Sequence, residues 1–428
     1  MISDEILFEE PKVKLIAYTR GSDKYHGLGP DELSAFGALG CFEEKISIDL
    51  YKGISKEKIE KKKEAILRES AGRGHGSVLD QNYFIYSIEN LTRATTLQLC
   101  LPEYLAHLQQ SLRRAKADRG FYIPEEIRNS NLFSDTKEIL YDSFKLYEEM
   151  LANEIPGEDA RFILPLYTKT NIQTGGDARE LMHLQSMNSQ DEVPSAVRKV
   201  VNEMTNEARK VAPKLFKYRE KSYETLAWYP SAQLYSTRNE TINNLIEECD
   251  YPNKTTLISY DGIDINEKSI EKAIKERNEA ELANLKHIHF TFLAPMSLAC
   301  YHQATRQRTW NHSLESIYDA AKRKKTKIPP SFLKITSIKI PPPISKYKEQ
   351  ESRMFDLYED LIRDGIPRSE AIGIIPHSLE IYDLIHVNGW NAIHSIGKRT
   401  CVKAQWEIRS IAKEMANYIK EKNPVLGK

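Results

Sequence analysis

Polar and apolar positions alternate over two short stretches, Val13-Lys-Leu-Ile-Ala-Tyr-Thr19 and Tyr83-Phe-Ile-Tyr-Ser-Ile88. Successive side chains of a strand point to opposite faces, so both stretches predict strands. Elsewhere the spacing follows the helical period: Lys56 to Ser70, and residues 92–116, 178–185, 194–222, 297–323, 390–396 and 404–421. The Lys61-Lys62-Lys63 run predicts a solvated helix face. A Pro-rich stretch, Ile338 to Ser345, reads as a linker between two helical runs. The pattern is mixed α and β, with no low-complexity segment.

The chain repeats itself. Gln98 pairs with Gln303, Ser111 with Ser316 and Pro124 with Pro329, each 205 positions apart. Farther on, Pro165 pairs with Pro376, His183 with His394 and Arg198 with Arg409, each 211 apart. Six landmarks at two constant offsets indicate a duplicated unit of about 210 residues. The join is expected near Glu224 to Tyr235, giving halves 1–225 and 226–428.

Charge narrows the partners. The 428 residues carry 61 Lys+Arg and 61 Asp+Glu, a formal net charge of zero, which argues against bulk electrostatic binding to nucleic acid or membrane. The Lys322-Arg323-Lys324-Lys325 run reads as a solvated helix end. Hydrophobic residues at 40% and charged residues at 29% describe a folded chain. No stretch approaches the ~20 apolar residues of a membrane span. The acidic N-terminus lacks the basic start and apolar core of a signal peptide, so a cytoplasmic location is expected. Cys41, Cys100, Cys249, Cys300 and Cys401 are dispersed without metal-ligand spacing; reduced thiols and no metal site are expected.

Arginines next to serines and amides are the chemically suggestive feature. Gln303 and Arg306 share one face of a predicted helix, with Arg308 farther round. Arg113 and Arg114 follow Ser111, Arg161 precedes Ile-Leu-Pro, and Arg179 and His183 are one helical turn apart. Arg399, Gln405, Glu407 and Arg409 surround an Ala-Gln-Trp-Glu-Ile-Arg run. Guanidinium forks suit phosphate, so an anionic nucleotide would explain the set. Surface ion pairs and structural histidines explain any one member equally well. Gly74-His75-Gly76-Ser77 is a tight turn, and the chain has neither a dinucleotide-binding nor a P-loop fingerprint.

In this order and spacing the residues resemble the flavin-dependent thymidylate synthase family, over nearly the whole chain and twice. The first half keeps Gly74-His75-Gly76-Ser77, Thr92-Arg93-Ala94, Gln98, Gln109-Gln110-Ser111-Leu112-Arg113, Ala160-Arg161 before Leu-Pro165, and Arg179 with His183. It has Leu101-Pro102-Glu103 where the family has Arg-His-Arg, Asp177 for an Asn, and Asn188 for a late Arg. The second half keeps Gln303, Arg306, Arg308, Ser316, Asn388, His394, Arg399 and Ala404-Gln405-Trp406-Glu407-Ile408-Arg409. It has Gln307 for the central His, Tyr318 for the loop Arg, Ile372 for the Arg before Leu-Pro and Trp390 for the helix Arg, and it lacks the Gly-His-x-Ser turn. The losses are complementary.

The resemblance implies an α+β fold of two tandem units, each a mainly antiparallel sheet with packed helices, forming a pseudo-dimer. It implies reductive methylation of dUMP to dTMP, with methylenetetrahydrofolate as carbon donor, NADPH as reductant and bound FAD. Family sites lie between subunits of a homotetramer, so one composite site joining the two halves is expected, in a homodimer that forms a pseudo-tetramer. Its implied catalytic residues are Arg399 and Ser111. Its implied nucleotide contacts are Gln303, Arg306, Gln109, Gln110, Ser111, Arg113, Arg161 and Arg399. The flavin-side candidates are His75, Ser77, Arg306, Gln307, Arg308, Arg179, His183, Asn388 and His394. The alternative is a relative that binds nucleotide or flavin without catalysis, or one that acts on another pyrimidine nucleotide.

Overall fold

The computed structural model describes residues 9–25, 27–52, 55–218, 230–334 and 343–427. The boundary between residues 225 and 226 and most of the Pro-rich stretch therefore lie outside the described residues. Eight strands run in chain order: β1 Lys12–Tyr18, β2 Tyr83–Thr92, β3 Ala106–Gln109, β4 Lys169–Asp177, β5 Thr256–Gly262, β6 Ile288–Ser297, β7 Asn311–Leu314 and β8 Glu380–Asn388. They form two four-stranded antiparallel sheets of the same topology, β1-β2-β4-β3 and β5-β6-β8-β7. The fold is α+β, and the repeat seen in the sequence is a repeat of topology.

Alternation sets the faces. In β2, Phe84, Tyr86 and Ile88 are buried while Tyr83, Ile85, Ser87 and Glu89 face outward. Tyr86 donates its hydroxyl to the Met204 carbonyl at 2.9 Å, and Phe84 meets Phe216 edge-on. The amphipathic helix Ser195–Val211 thus covers that face. In β6 the same alternation buries Ile288, Phe290 and Phe292.

By packing, the described residues fall into two compact units whose limits do not follow the repeat. One lies within Met1–Ser111, Ala117–Arg128 and Tyr167–Ser231; the other lies within Leu112–Lys116, Asn129–Leu166 and Ala232–Lys428. The segment 129–166 of the first repeat packs in the second unit, against its own repeat counterpart. Helix Phe133–Ala152 lies on helix Pro343–Arg363, where Gln350 donates to Ser143 Oγ at 2.9 Å and Arg353 to Asp142 at 2.7 Å. Pro165 bridges Pro376, and Leu166 N–H donates to the Ile375 carbonyl at 3.0 Å. Like segments meeting like is the self-complementary contact of a two-fold dimer, here within one chain.

Three expectations change. The stretch 92–116 is not one helix: helix Arg93–Leu99 stops at Cys100, and β3 follows. The stretch 297–323 breaks likewise into helix Leu298–Ala304, β7 and helix Ile317–Arg323. Sheet pairing to β4 and β8 outweighs the local period there. Third, the two basic runs are not simply solvated. Lys63 is buried between Glu32 and Glu60, and the partly buried Arg323 pairs with Glu315 at 2.8 Å and Glu380 at 3.2 Å. Among the described residues no helix is long and apolar enough to cross a membrane.

Candidate active site

The site grows from the short helix Leu298–Ala304 of the second unit. Ser297 caps it, accepting Cys300 N–H at 3.0 Å. Glu407 clamps the cap, accepting Ser297 N–H at 2.8 Å and its hydroxyl. Glu407 itself starts helix Trp406–Lys422, which Gln405 caps by accepting Glu407 and Ile408 N–H at 3.0 and 3.2 Å. The next link is Trp406, whose Nε1 donates to Asp159 at 3.0 Å while its ring stacks on Phe162. The Ala-Gln-Trp-Glu-Ile-Arg run is therefore scaffold, fastening two helix starts and the Arg161 segment together.

Two guanidiniums dock on carbonyls one turn apart along helix Leu298–Ala304. Arg161 Nη2 donates to the Ala299 carbonyl at 3.2 Å, and Arg399 Nη2 donates to the Gln303 carbonyl at 3.4 Å. Gln303 lies in the last turn, the carbonyl-rich end that suits a cation, whereas Ala299 lies in the first turn. Arg161 Nε donates to the Glu158 carbonyl at 3.1 Å. Arg113 Nε pairs with the Glu158 carboxylate at 2.7 Å, and its Nη2 reaches the Lys403 carbonyl at 3.1 Å.

Arg399 ends a helical stretch that passes through a π-turn at Ala392–Ile396. The buried Trp310 fixes that turn by donating to Ser395 Oγ at 2.6 Å. A π-turn shifts the side chains beyond it, and such turns are common at functional sites. With its amide oxygen turned toward Arg399, the orientation that gives both its polar ends partners, Gln307 accepts Nη2 at 2.5 Å and Nε at 2.7 Å.

Burial dominates the electrostatics, although the Glu158 and Asp159 carboxylates favour the charged form of Arg161. Burial pushes the Arg161 guanidinium down to about 10, and the Arg113 charge pushes the same way. Burial also lowers Arg399, with Arg113 and Arg306 adding to the effect. Both stay charged at neutral pH. The Arg113 charge acts against both, and a bound anion would relieve that repulsion. Gln303, whose carbonyl takes Arg399, is 8% exposed, and neither of its amide atoms has a hydrogen-bond partner among the described residues. A buried amide without partners costs free energy unless a ligand supplies them.

The second unit thus brings together Gln303, Arg306, Gln307 and Arg399 from the second half with Arg113 and Arg161 from the first. Other candidates of that unit do local work or face outward. Asn388 caps the following helix by accepting Asn391 N–H at 2.9 Å, exposed His394 pairs with Lys398 at 2.9 Å, and Arg308 is exposed.

The remaining candidates belong to the first unit. Gln109 ends β3, Gln110 takes an N–H bond to the Asn171 carbonyl, and Ser111 is exposed. His75 and Ser77 are exposed on a turn that Gly74 makes at φ 84°, a conformation open to glycine. Arg179 pairs with Asp80 at 3.3 Å, and His183 is buried 3.5 Å from Glu180. Asp177 caps its helix through Glu180 N–H at 2.8 Å, and burial pushes its carboxyl up to about 6. Sequence reasoning missed Asp159, Ala299 and the structural duties of Trp406 and Glu407. The only signal for the last two was the Ala-Gln-Trp-Glu-Ile-Arg run itself.

The sequence profile of the thymidylate synthase complementing protein family matches the chain twice, over residues 14–214 and 221–425. The chain belongs to the flavin-dependent thymidylate synthase family. The flavin-dependent thymidylate synthase of Pyrococcus furiosus is 30% identical over 205 residues, which are 46% of this chain and 79% of that protein. The one from Clostridium tetani is 29% identical over 225 residues, 48% of this chain and 86% of the relative. A crystal structure of the UMP/dUMP methylase PolB from Streptomyces cacaoi bound with 5-Br dUMP is 15% identical, covers 49% of this chain and 95% of that one, and superposes with a TM-score of 0.41. One family member corresponds to about half of this chain, as two tandem copies require.

Proposed function

We propose that this chain is a flavin-dependent thymidylate synthase that converts dUMP to dTMP at one composite site, built from residues of both repeats (1–225 and 226–428). The observation that carries the reading is the buried Gln303 amide, without partners among the described residues, on the helix whose carbonyls take Arg161 and Arg399. A monophosphate nucleotide offers what these groups lack: an anion for the guanidiniums and hydrogen-bonding groups for the amide.

In this reading Arg113 and Arg161, with the Gln109-Gln110-Ser111 loop that precedes them in the chain, hold the phosphate. Gln303 and Arg306 hold the nucleotide from the other side. Arg399 stabilises negative charge on the uracil carbonyl oxygens as C5 becomes nucleophilic, a role suited to a fixed donor in a water-poor site. Ser111 is the second catalytic candidate in this reading. A thiolate nucleophile is not needed, and the buried Cys300 fits that, because burial pushes its thiol well up.

The flavin-side residues divide by the work they already do. Arg306, Arg308, Gln307 and the exposed turn of His75 and Ser77 carry donors and positive charge that suit the phosphates of FAD. Arg179, His183, Asn388 and His394 have local partners and fit that role less directly. When bound, FAD reduced by NADPH supplies the hydride that completes the methyl group, and methylenetetrahydrofolate supplies its carbon. A homodimer of the duplicated chain would reproduce the tetramer implied by the family resemblance.

The visible spectrum of the purified protein, read without oxygen before and after NADPH and dUMP, tests the reading. A flavin band that bleaches, followed by dTMP formation with methylenetetrahydrofolate, supports it. A protein that stays colourless after FAD is supplied, yet binds dUMP, would be a nucleotide-binding relative and would overturn it.

A further inference from the structure

Arg399 is held edge-on. Two of its three guanidinium nitrogens, Nε and Nη2, donate to one acceptor, the Gln307 amide oxygen, at 2.7 and 2.5 Å. The same Nη2 also touches the Gln303 carbonyl at 3.4 Å. The Nε–Nη2 edge is thereby occupied, and Nη1 has no partner among the described residues. Arg399 is half-buried and electrostatically uncomfortable: burial and the charges of Arg113 and Arg306 all act against its positive form. A long side chain under such repulsion has other rotamers in which its charge reaches water, so something must hold it.

We infer that Gln307 is the positioning residue that fixes Arg399, aiming its Nη1 edge at the ligand. This inference rests on the nucleotide reading of the site. A neutral amide suits the task. It gives the guanidinium an acceptor without cancelling the positive charge that an anionic substrate needs, as a carboxylate would. The packing supports the same assignment. Gln307 follows the last turn of helix Leu298–Ala304, where its N–H donates to the Ala304 carbonyl at 2.8 Å and its own carbonyl accepts Trp310 N–H at 2.8 Å. Trp310 in turn fixes the π-turn before Arg399 through Ser395. Gln307 and Arg399 are therefore tied together twice, through their side chains and through Trp310. The glutamine that replaces the family's histidine is then a working part of this site and not a decayed position.

Calorimetric titration of the whole chain with dUMP tests this in a double-mutant cycle of Gln307→Met and Arg399→Ala. Methionine keeps the length and removes the acceptor. The expected result is a loss of dUMP affinity on the order of tenfold for Gln307→Met, with an unchanged thermal midpoint. Once Arg399 is alanine, Gln307→Met should cost nothing further. Gln307→His keeps a single acceptor and should fall between wild type and Gln307→Met. If Gln307→Met weakens dUMP equally with and without Arg399, Gln307 acts on its own and the inference fails. It also fails if Gln307→Met leaves affinity intact while Arg399→Ala reduces it; the site reading then survives. If Arg399→Ala itself leaves dUMP affinity unchanged, the site reading falls and this inference with it.

Discussion

Arg161 donates Nη2 to the backbone carbonyl of Ala299 at 3.2 Å, across 138 positions of the chain. Its other recorded hydrogen bond is also to a neutral carbonyl, that of Glu158. The Glu158 carboxylate is engaged by Arg113 instead. A guanidinium that is 5% exposed and, among the described residues, hydrogen-bonded to carbonyls keeps its charge available to an incoming anion. The contact joins a residue of the first repeat to the helix that carries Gln303.

Arg161→Ala and Arg399→Ala lie in different repeats, and each should weaken dUMP binding. Charge-assisted hydrogen bonds are worth about 1.5–3 kcal/mol, or roughly 10- to 150-fold in affinity. Titration calorimetry on the two variants checks this. An effect from only one of the two repeats would contradict a site shared between them.

Flavin content should be about one FAD per chain or fewer, because the counterpart positions carry Leu101, Asn188, Tyr318 and Ile372 where the composite site has Arg306, Arg399, Arg113 and Arg161. Absorbance of released flavin against protein concentration measures it. Two per chain would refute decay of the mirror site.

Asp177→Asn should stabilise the protein at neutral pH. Burial, its largest cause, raises the Asp177 carboxyl to about 6 from 3.8. The folded protein then holds more protons than the unfolded chain between about pH 4 and 6, so this group's contribution is best below about 4 and is lost as pH rises through 6. Asparagine removes the buried charge and still caps the helix through Glu180 N–H. Screening by partial exposure leaves a gain on the order of 1–2 kcal/mol above pH 6. Thermal midpoints of the two proteins should separate at pH 7.5 and converge at pH 4.

Trp406→Phe keeps the ring against Phe162 but deprives Asp159 of the indole donor. Leaving that buried carboxylate short of a partner should cost about 1–3 kcal/mol. Urea unfolding reads the loss. Weaker dUMP binding should accompany it, since Asp159 lies on the segment that presents Arg161.

The sequence made part of this legible. Alternation located β1 and β2, and the constant offsets exposed the duplication that reappears as two sheets of one topology. Arg113, Arg161, Gln303 and Arg399 were visible as arginines and an amide in a family-like order. The edge strands β3 and β7 were not legible. Each is four residues long and exists by pairing with a strand distant in sequence, so a local helical period misread both. The basic runs misled for a similar reason: Lys63 and Arg323 pair with carboxylates far along the chain, Glu32 and Glu380.

By itself the sequence determined the period of each element, the duplication, and which residue types each copy retained or lost. Those properties follow from side-chain spacing and identity alone. Tertiary structure decided which copy each segment serves. It packs residues 129–166 of the first repeat in the second unit, brings Arg161 to Ala299, and leaves Gln303 buried without partners. Burial and long-range hydrogen bonds depend on which surfaces meet in space, and a linear pattern of apolar and charged positions does not contain that information.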